Sequence, residues 1–123
     1  MMEPFEAKIR YQDKLVIVDL YGEINAFADL QLSEAYTQAE GYKTTVIILN
    51  FSKVGYINST GIALIVGLLG HARKTGQRLA VFGLSDHYDQ IFRITRLAEY
   101  MSVYPDEASA LAGVMEIKPV KIH

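Results

Sequence analysis

A chain of 123 residues fits one domain with one hydrophobic core, and half of its residues are hydrophobic while 21% are charged. That composition excludes a disordered chain, and the formal net charge of −2 provides no basic surface of the kind that nucleic-acid-binding domains carry. The sequence holds no cysteine and three histidines, so neither a disulfide framework nor a zinc site is expected.

The first residues are not expected to form a signal peptide. Residues 1–6 include two glutamates and a proline, and they lack the apolar centre of a signal peptide. The longest apolar run, Ile62–Leu69, is too short to cross a bilayer and contains a glycine. The sequence therefore predicts a cytoplasmic protein without membrane insertion.

The first predicted elements are a β-hairpin and a helix. Apolar and polar residues alternate over Phe5–Arg10 and over Leu15–Tyr21, and a short polar turn separates the two runs. Asn25 is a suitable N-cap for a helix over Ala26–Glu40, which Gly41 is predicted to end. The buried face of this helix is expected to carry Leu32, Ala35, Tyr36 and Ala39, with Phe27 and Leu30 near it.

A buried strand and a long helix are predicted next. Thr45–Phe51 is rich in β-branched residues and does not alternate, which is typical of a strand covered on both faces. A helix over about Thr60–Lys74 follows a short loop and is expected to be largely buried, because it is apolar on most sides. Gly67 and Gly70 weaken its helix propensity by roughly 1 kcal/mol each, and we expect them to allow close packing against the sheet. Gly76 is predicted to end the helix.

The last part of the chain continues this alternation of strands and helices. We expect a strand over Arg78–Phe82, a helix from Asp86 to about Leu97 and a short strand over Met101–Tyr104. Asp106 is predicted to cap a last helix, from Glu107 to about Met115. The core candidates on the helix that begins at Asp86 are Ile91, Phe92 and Ile94.

The order of these elements predicts an α/β fold. We expect a mixed β-sheet of about five strands packed against about four α-helices, in one domain over residues 1–115. Residues 116–123 include Pro119 and are expected to form a loose C-terminal tail.

Signatures of catalysis are missing from the sequence. It contains no Gly-x-Ser-x-Gly elbow, no phosphate-binding loop ending in Gly-Lys-Ser/Thr and no Gly-x-Gly-x-x-Gly. The central strand carries Asn50 where a phospho-accepting receiver domain would need an aspartate. We therefore expect no enzyme, no cofactor and no metal.

The segment Asn58-Ser59-Thr60-Gly61 is the most informative part of the chain. It places two hydroxyl groups where a loop becomes a helix, beside backbone N–H groups that lack helical partners. A phosphate there would gain from those donors and from the helix dipole, and it would change the charge of the surrounding surface. A purely structural interpretation is the alternative, in which Asn58 or Ser59 caps the helix and Thr60 fills its first turn.

Around this segment, the run Gly55–Ile65 resembles the signature of STAS domains, and specifically that of bacterial anti-sigma factor antagonists. That signature is an apolar residue, then Asp-Ser-Ser/Thr-Gly, then an apolar helix. Further segments are similar to this family in order and spacing: Tyr21–Asn25, Val46–Phe51, Leu79–Ser85 and Asp106–Leu111. The resemblance covers the chain from about Phe5 to Met115 and implies a single STAS-like domain.

The resemblance implies a partner-switching protein. In the family, the unphosphorylated antagonist binds an anti-sigma factor that is also a serine kinase of the histidine-kinase-like ATPase fold, which releases the sigma factor. The kinase then phosphorylates the first hydroxyl of the motif, here Ser59 with Thr60 as a secondary acceptor, and a PP2C-type phosphatase resets the antagonist. The implied partner-binding residues are Asn25, Asn58, Ser59 and Thr60, and the chain is expected to be a monomer or weak dimer.

The chain departs from the family pattern at three positions. Asn58 and Asn25 stand where the family has acids, so the capping side chains are kept and the charges are lost. Arg96 stands where the family often has glycine. Two alternatives therefore stay open: a STAS scaffold or transport-system partner that phosphate does not switch, and a receptor for a nucleotide or lipid.

Overall fold

The computed structural model describes residues 3–115 and contains the predicted α/β domain. Five strands form one mixed sheet, and four α-helices and two short 3-10 turns complete the described part of the chain. The tail predicted over residues 116–123 lies outside the described residues.

The hairpin forms as the alternation predicts. Strand β1 spans Glu6–Gln12, strand β2 spans Leu15–Ile24, and the two are antiparallel. The turn between them consists of Asp13 and Lys14, whose φ angles are +51° and +64°. Positive φ at both central residues is the requirement of a type I′ turn, the two-residue turn whose twist matches that of a hairpin.

The remaining strands add in parallel to one side of β2, so the sheet order is β1-β2-β3-β4-β5. Strand β3 spans Val46–Ile57, β4 spans Arg78–Phe82 and β5 spans Ser102–Tyr104. The predicted end of β3 at Phe51 is wrong, because pairing with β2 continues to Ile57. Only the first half of β3 pairs with β4, up to Asn50.

The helices cover the two faces of the sheet unequally. Helices α1 (Asp29–Glu40), α2 (Ser59–Thr75) and α3 (Asp86–Ile94) pack on one face and enclose the main core. Helix α4 (Glu107–Met115) packs alone on the other face, where Ala110 and Val114 contribute to a smaller core. The Asp106 carboxylate caps α4 as predicted, accepting a hydrogen bond from the Ser109 amide at 2.8 Å.

Burial differs from the predictions at three apolar side chains. The four residues expected on the buried face of α1 are buried, but Phe27 and Leu30 are 85% and 70% exposed. Leu30 lies two residues from Leu32 and therefore on the opposite side of the helix. By the same geometry Ile94 is 80% exposed, two residues beyond the buried Phe92.

Two predicted helix boundaries differ in detail. Helix α1 begins at Asp29, because residues Ala26–Ala28 form a 3-10 turn, and Gly41 follows its end with a right-handed φ of −60°. Helix α3 ends at Ile94 rather than near Leu97, because Arg96 has a φ of +67°. A left-handed backbone favours glycine. Position 96, where the family often has glycine, is therefore a position whose backbone conformation favours glycine.

The expectation that α2 is largely buried is also wrong. Only one stripe of the helix faces the sheet, and Val66, Gly67 and Gly70 are exposed. A Cβ atom added at Gly67 or Gly70 would have no neighbour within 4 Å among the described residues. These two glycines therefore make no close contact with the sheet.

A partly buried ion cluster joins α4 to the hairpin. The Arg10 guanidinium donates to the Asp19 carboxylate at 2.6 Å and 2.9 Å and to the Glu107 carboxylate at 2.6 Å. Asn50 donates to Asp19 at 2.7 Å, so an acid at position 50 would repel this carboxylate. Burial raises the pKa of Asp19, but the hydrogen bonds from Arg10 and Asn50 outweigh it and bring that pKa below its ordinary value.

We predict that Asp19→Asn lowers the free energy of unfolding by about 2 kcal/mol at pH 7, since it removes the buried carboxylate of a partly exposed ion pair. A depressed pKa in the folded state stabilises the protein above the unfolded pKa of about 4, and this contribution is lost as the pH falls through the folded value. The difference between wild type and Asp19→Asn, measured by urea unfolding, should therefore shrink below about pH 4. Asp13→Asn, in the exposed turn, is the control, and an equal loss in both variants would contradict the assignment.

Candidate functional site at the start of α2

The ends of two parallel strands bring the predicted site residues together. Ile24 of β2 is paired with Ile57 of β3, so the residues that follow them, Asn25 and Asn58, leave the sheet side by side at its carboxyl edge. Ser59 and Thr60 then open α2. The structure thus places the four predicted partner-binding residues in one region.

Both asparagines cap helical segments. The Asn58 side-chain oxygen accepts a hydrogen bond from the Gly61 amide at 2.8 Å, and the Asn25 side-chain oxygen accepts one from the Phe27 amide at 2.9 Å. Each residue has an extended backbone, as N-caps do. The predicted caps are confirmed, and in both the acceptor is a neutral amide oxygen.

Gly61 sets how closely α2 approaches the sheet. A Cβ atom at this position would collide with the carbonyl oxygen of Ile24 and lie 2.9 Å from the Ile57 side chain. The same Ile24 carbonyl accepts a hydrogen bond from the Asn58 amide at 3.2 Å. The first turn of α2 therefore rests directly on the end of β2, and only glycine fits at the contact.

Tyr88 of α3 fixes the last residue of β3 from the other side. Its buried hydroxyl accepts a hydrogen bond from the Ile57 amide at 2.8 Å and donates one to the Ile57 carbonyl at 3.3 Å. Strand β4 ends before this point, so the hydroxyl stands in for a neighbouring strand. The residue before Asn58 is thereby held by both β2 and α3.

Ser59 and Thr60 are exposed at the first two positions of α2. Helix α2 begins at Ser59, one residue before its predicted start, and no acidic residue lies in its first turn. No carboxylate in that turn therefore balances the positive end of the helix dipole. An anion on either hydroxyl would meet a favourable local field.

Three exposed apolar side chains lie in segments that precede or contact this helix end. Phe27 lies in the 3-10 turn that contacts α2, Leu30 follows it in α1, and Tyr56 is 54% exposed in β3. Sequence reasoning missed Phe27 and Leu30 as surface residues, although the spacing of Leu30 from Leu32 indicates an exposed position.

The described residues offer neither a metal centre nor a membrane span. Within residues 3–115, no three histidine or acidic side chains are grouped so that they could hold a metal ion. No helix in that range is long and apolar enough to cross a membrane.

Comparison with known proteins identifies the family. The STAS domain model matches residues 6–110, which include both asparagine caps and the whole of α2. This chain belongs to the STAS domain family. The anti-sigma-B factor antagonist of Staphylococcus aureus (strain NCTC 8325 / PS 47) is 34% identical over 92 residues, which cover 75% of this chain and 85% of that protein.

Solved STAS-fold structures agree with the architecture. An anti-sigma factor antagonist from Mycobacterium paratuberculosis superposes with a TM-score of 0.80 at 18% identity, covering 94% of this chain and all of the other. The Bacillus cell fate determinant SpoIIAA in its phosphorylated form gives a TM-score of 0.66 at 22% identity, covering 90% and 99%. At these identities the likeness establishes the shared fold.

We predict that Gly61→Ala lowers the free energy of unfolding of this STAS domain by about 2–3 kcal/mol, because the added methyl group must push α2 away from Ile24. Gly67→Ala in the same helix is the matched control. It adds a methyl group in open space and should raise the free energy of unfolding by up to about 1 kcal/mol. Chemical denaturation of both variants measures the difference, and similar values for the two would show that the contact at Gly61 is unimportant.

Proposed function

We propose that this STAS domain is an anti-sigma factor antagonist that acts by phosphorylation-controlled partner switching. Unphosphorylated, it binds an anti-sigma factor through the surface around Asn25, Asn58, Ser59 and Thr60. Phosphorylation of Ser59 weakens that binding. The proposed role is regulatory binding, and the proposed place of action is the cytoplasm.

The observation that carries the proposal is the position of Ser59. Its hydroxyl is exposed at the first residue of a helix whose N-cap is satisfied by Asn58. A kinase can therefore reach the hydroxyl without unfolding the domain, and the cap does not depend on it. A phosphate there lies at the positive end of the helix dipole, so the fold tolerates it.

The same phosphate is unfavourable at a packed interface. It adds about −1.5 to −2 charges at the start of α2, a helix that is contacted by the 3-10 turn with the exposed side chains of Ala26 and Phe27. A partner that covers these side chains would have to desolvate the phosphate or withdraw. A loss of about 3 kcal/mol corresponds to a roughly hundredfold weaker complex, which is enough for a switch.

The asparagines at positions 25 and 58 are compatible with this role. Each caps its helical segment, so the structural part of an acid's role is kept. Because both are neutral, neither repels a phosphate on Ser59 as a carboxylate would. This supports Ser59 as acceptor despite the departure from the family pattern.

The proposed partners follow from the resemblance to the family and from the names of the relatives. They are an anti-sigma factor that is also a serine kinase of the histidine-kinase-like ATPase fold, and a PP2C-type phosphatase that removes the phosphate. Thr60 is the proposed secondary acceptor, since it is equally exposed one residue further into the helix. The proposed free form is a monomer or weak dimer.

We predict that Ser59→Asp weakens binding of the cognate anti-sigma factor by at least about tenfold, because a single carboxylate imitates part of the phosphate charge. Ser59→Ala should retain the wild-type affinity. Titration calorimetry of both variants against the purified anti-sigma factor measures the effect.

Thr60→Asp serves as the positional control. It adds the same charge in the same helical turn, and its effect should be smaller than that of Ser59→Asp. Equal binding by wild type, Ser59→Ala and Ser59→Asp would contradict the proposed switch. Ser59 would then be only a surface residue next to the helix cap.

A further inference from the structure

A groove of about 320 Å³ runs between α1 and α2, away from the sheet. Its floor is small and apolar and comes mainly from α2: Ala63, Leu64, Gly67 and Leu68. Its other wall is α1, from Asp29 in the first turn to Glu40 in the last. Over these 12 residues the groove is about 17 Å long, which is the length of three helical turns.

The groove is acidic. Its lining includes the carboxylates of Asp29 and Glu40 on α1, a helix that contains neither lysine nor arginine. No basic side chain other than His71 is among the described residues that line the groove. Glu40 lies in the last turn of α1, where a negative charge opposes the helix dipole, and the His71 ring contacts its carboxylate at 3.0 Å. A positively charged occupant would relieve this excess.

The helix surface at Gly67 is open. This glycine lines the groove in the middle of α2, at a cost of roughly 1 kcal/mol in helix propensity relative to alanine. No described atom lies within 4 Å of the position that its Cβ would take. No residue of the described domain therefore packs into the space above Gly67. This space leaves room for the backbone of another helix to approach closely, as it does over small residues between packed helices.

We propose that this groove docks a basic amphipathic helix of the partner protein. The occupant is a helix because the walls are two helices, which offer no free strand edge for an extended peptide. Its lysines or arginines face Asp29 and Glu40, and its small or apolar stripe lies over Ala63 and Gly67. The acidic walls repel nucleic acid and anionic lipid headgroups alike.

The groove begins one helical turn beyond Ser59, so the contact extends the surface proposed for partner switching. In that respect the inference rests on the proposed function. Phosphate at Ser59 would act on one end of the contact, while the groove anchors the other end independently of phosphate. The two contributions to partner binding are therefore separable by mutation.

The first test uses a synthetic amphipathic helix of leucine, alanine and lysine, about 18 residues long so that it exceeds the groove. A peptide with glutamate in place of lysine is the control. In ¹⁵N-labelled protein, the lysine peptide should shift the amide resonances of groove residues on α1 and α2, and added salt should weaken its binding. The glutamate peptide should shift none of them. Lysine-peptide shifts that fall elsewhere, or no shifts at all, would overturn the proposal.

The second test fills the groove. Gly67→Leu should weaken the lysine peptide and the cognate anti-sigma factor by at least about tenfold each, while Gly70→Leu, one turn further along α2 and outside the groove lining, should have a smaller effect. Both positions have open space for a side chain, so both variants are expected to fold, which circular dichroism and thermal melting check. Wild-type binding of both probes by Gly67→Leu would contradict the docking site.

Comparison of Gly67→Leu with Ser59→Asp separates the two proposals. If Ser59→Asp releases the anti-sigma factor and Gly67→Leu binds it normally, the partner switch stands and the groove proposal fails. If Gly67→Leu weakens binding and Ser59→Asp does not, the groove is a docking site and the switch at Ser59 fails.

Discussion

The contact between Gly61 and the carbonyl oxygen of Ile24 is the constraint on which the candidate site depends. It seats the first turn of α2 directly on the end of β2, and the Asn58 amide bonds to the same carbonyl. The parallel register of Ile24 with Ile57 then places the two asparagine caps side by side. These contacts are all made by backbone groups and capping side chains. None of them uses the hydroxyl of Ser59. A residue in that position can change its charge while the fold beneath it stays intact.

In the proposed switch, the surface and the interior of the domain have different roles. The buried Tyr88 fixes the end of β3, and the Arg10 guanidinium joins the hairpin to α4 through Glu107. The proposed recognition features all lie on the helical face, at the start of α2 and along the acidic groove between α1 and α2. A partner that spans both parts would contact the phosphate at one end of its interface. Complementary charges would hold it along the rest of the interface.

The fold and the location of the site were largely predictable, because they depend on local patterns. Alternation predicts the hairpin, the apolar run of β3 predicts a covered strand, and Asn25 and Asn58 are recognisable caps. What failed depends on tertiary placement. The burial of α2 was overestimated, since its apolar composition does not tell which stripe of the helix meets the sheet. Gly67 was predicted to allow close packing against the sheet, but Gly61 is the glycine that makes this contact. Leu30 was placed near the core although helix geometry turns it outward.

The most direct test of the central claim is to locate the phosphate. The chain is incubated with ATP and the cognate serine-kinase anti-sigma factor, and tandem mass spectrometry identifies the modified residue. The account predicts a single phosphate on Ser59, with the domain still folded and the phosphorylated fraction no longer eluting with the kinase. A kinase that binds the chain and hydrolyses ATP yet leaves Ser59 unmodified would contradict the account.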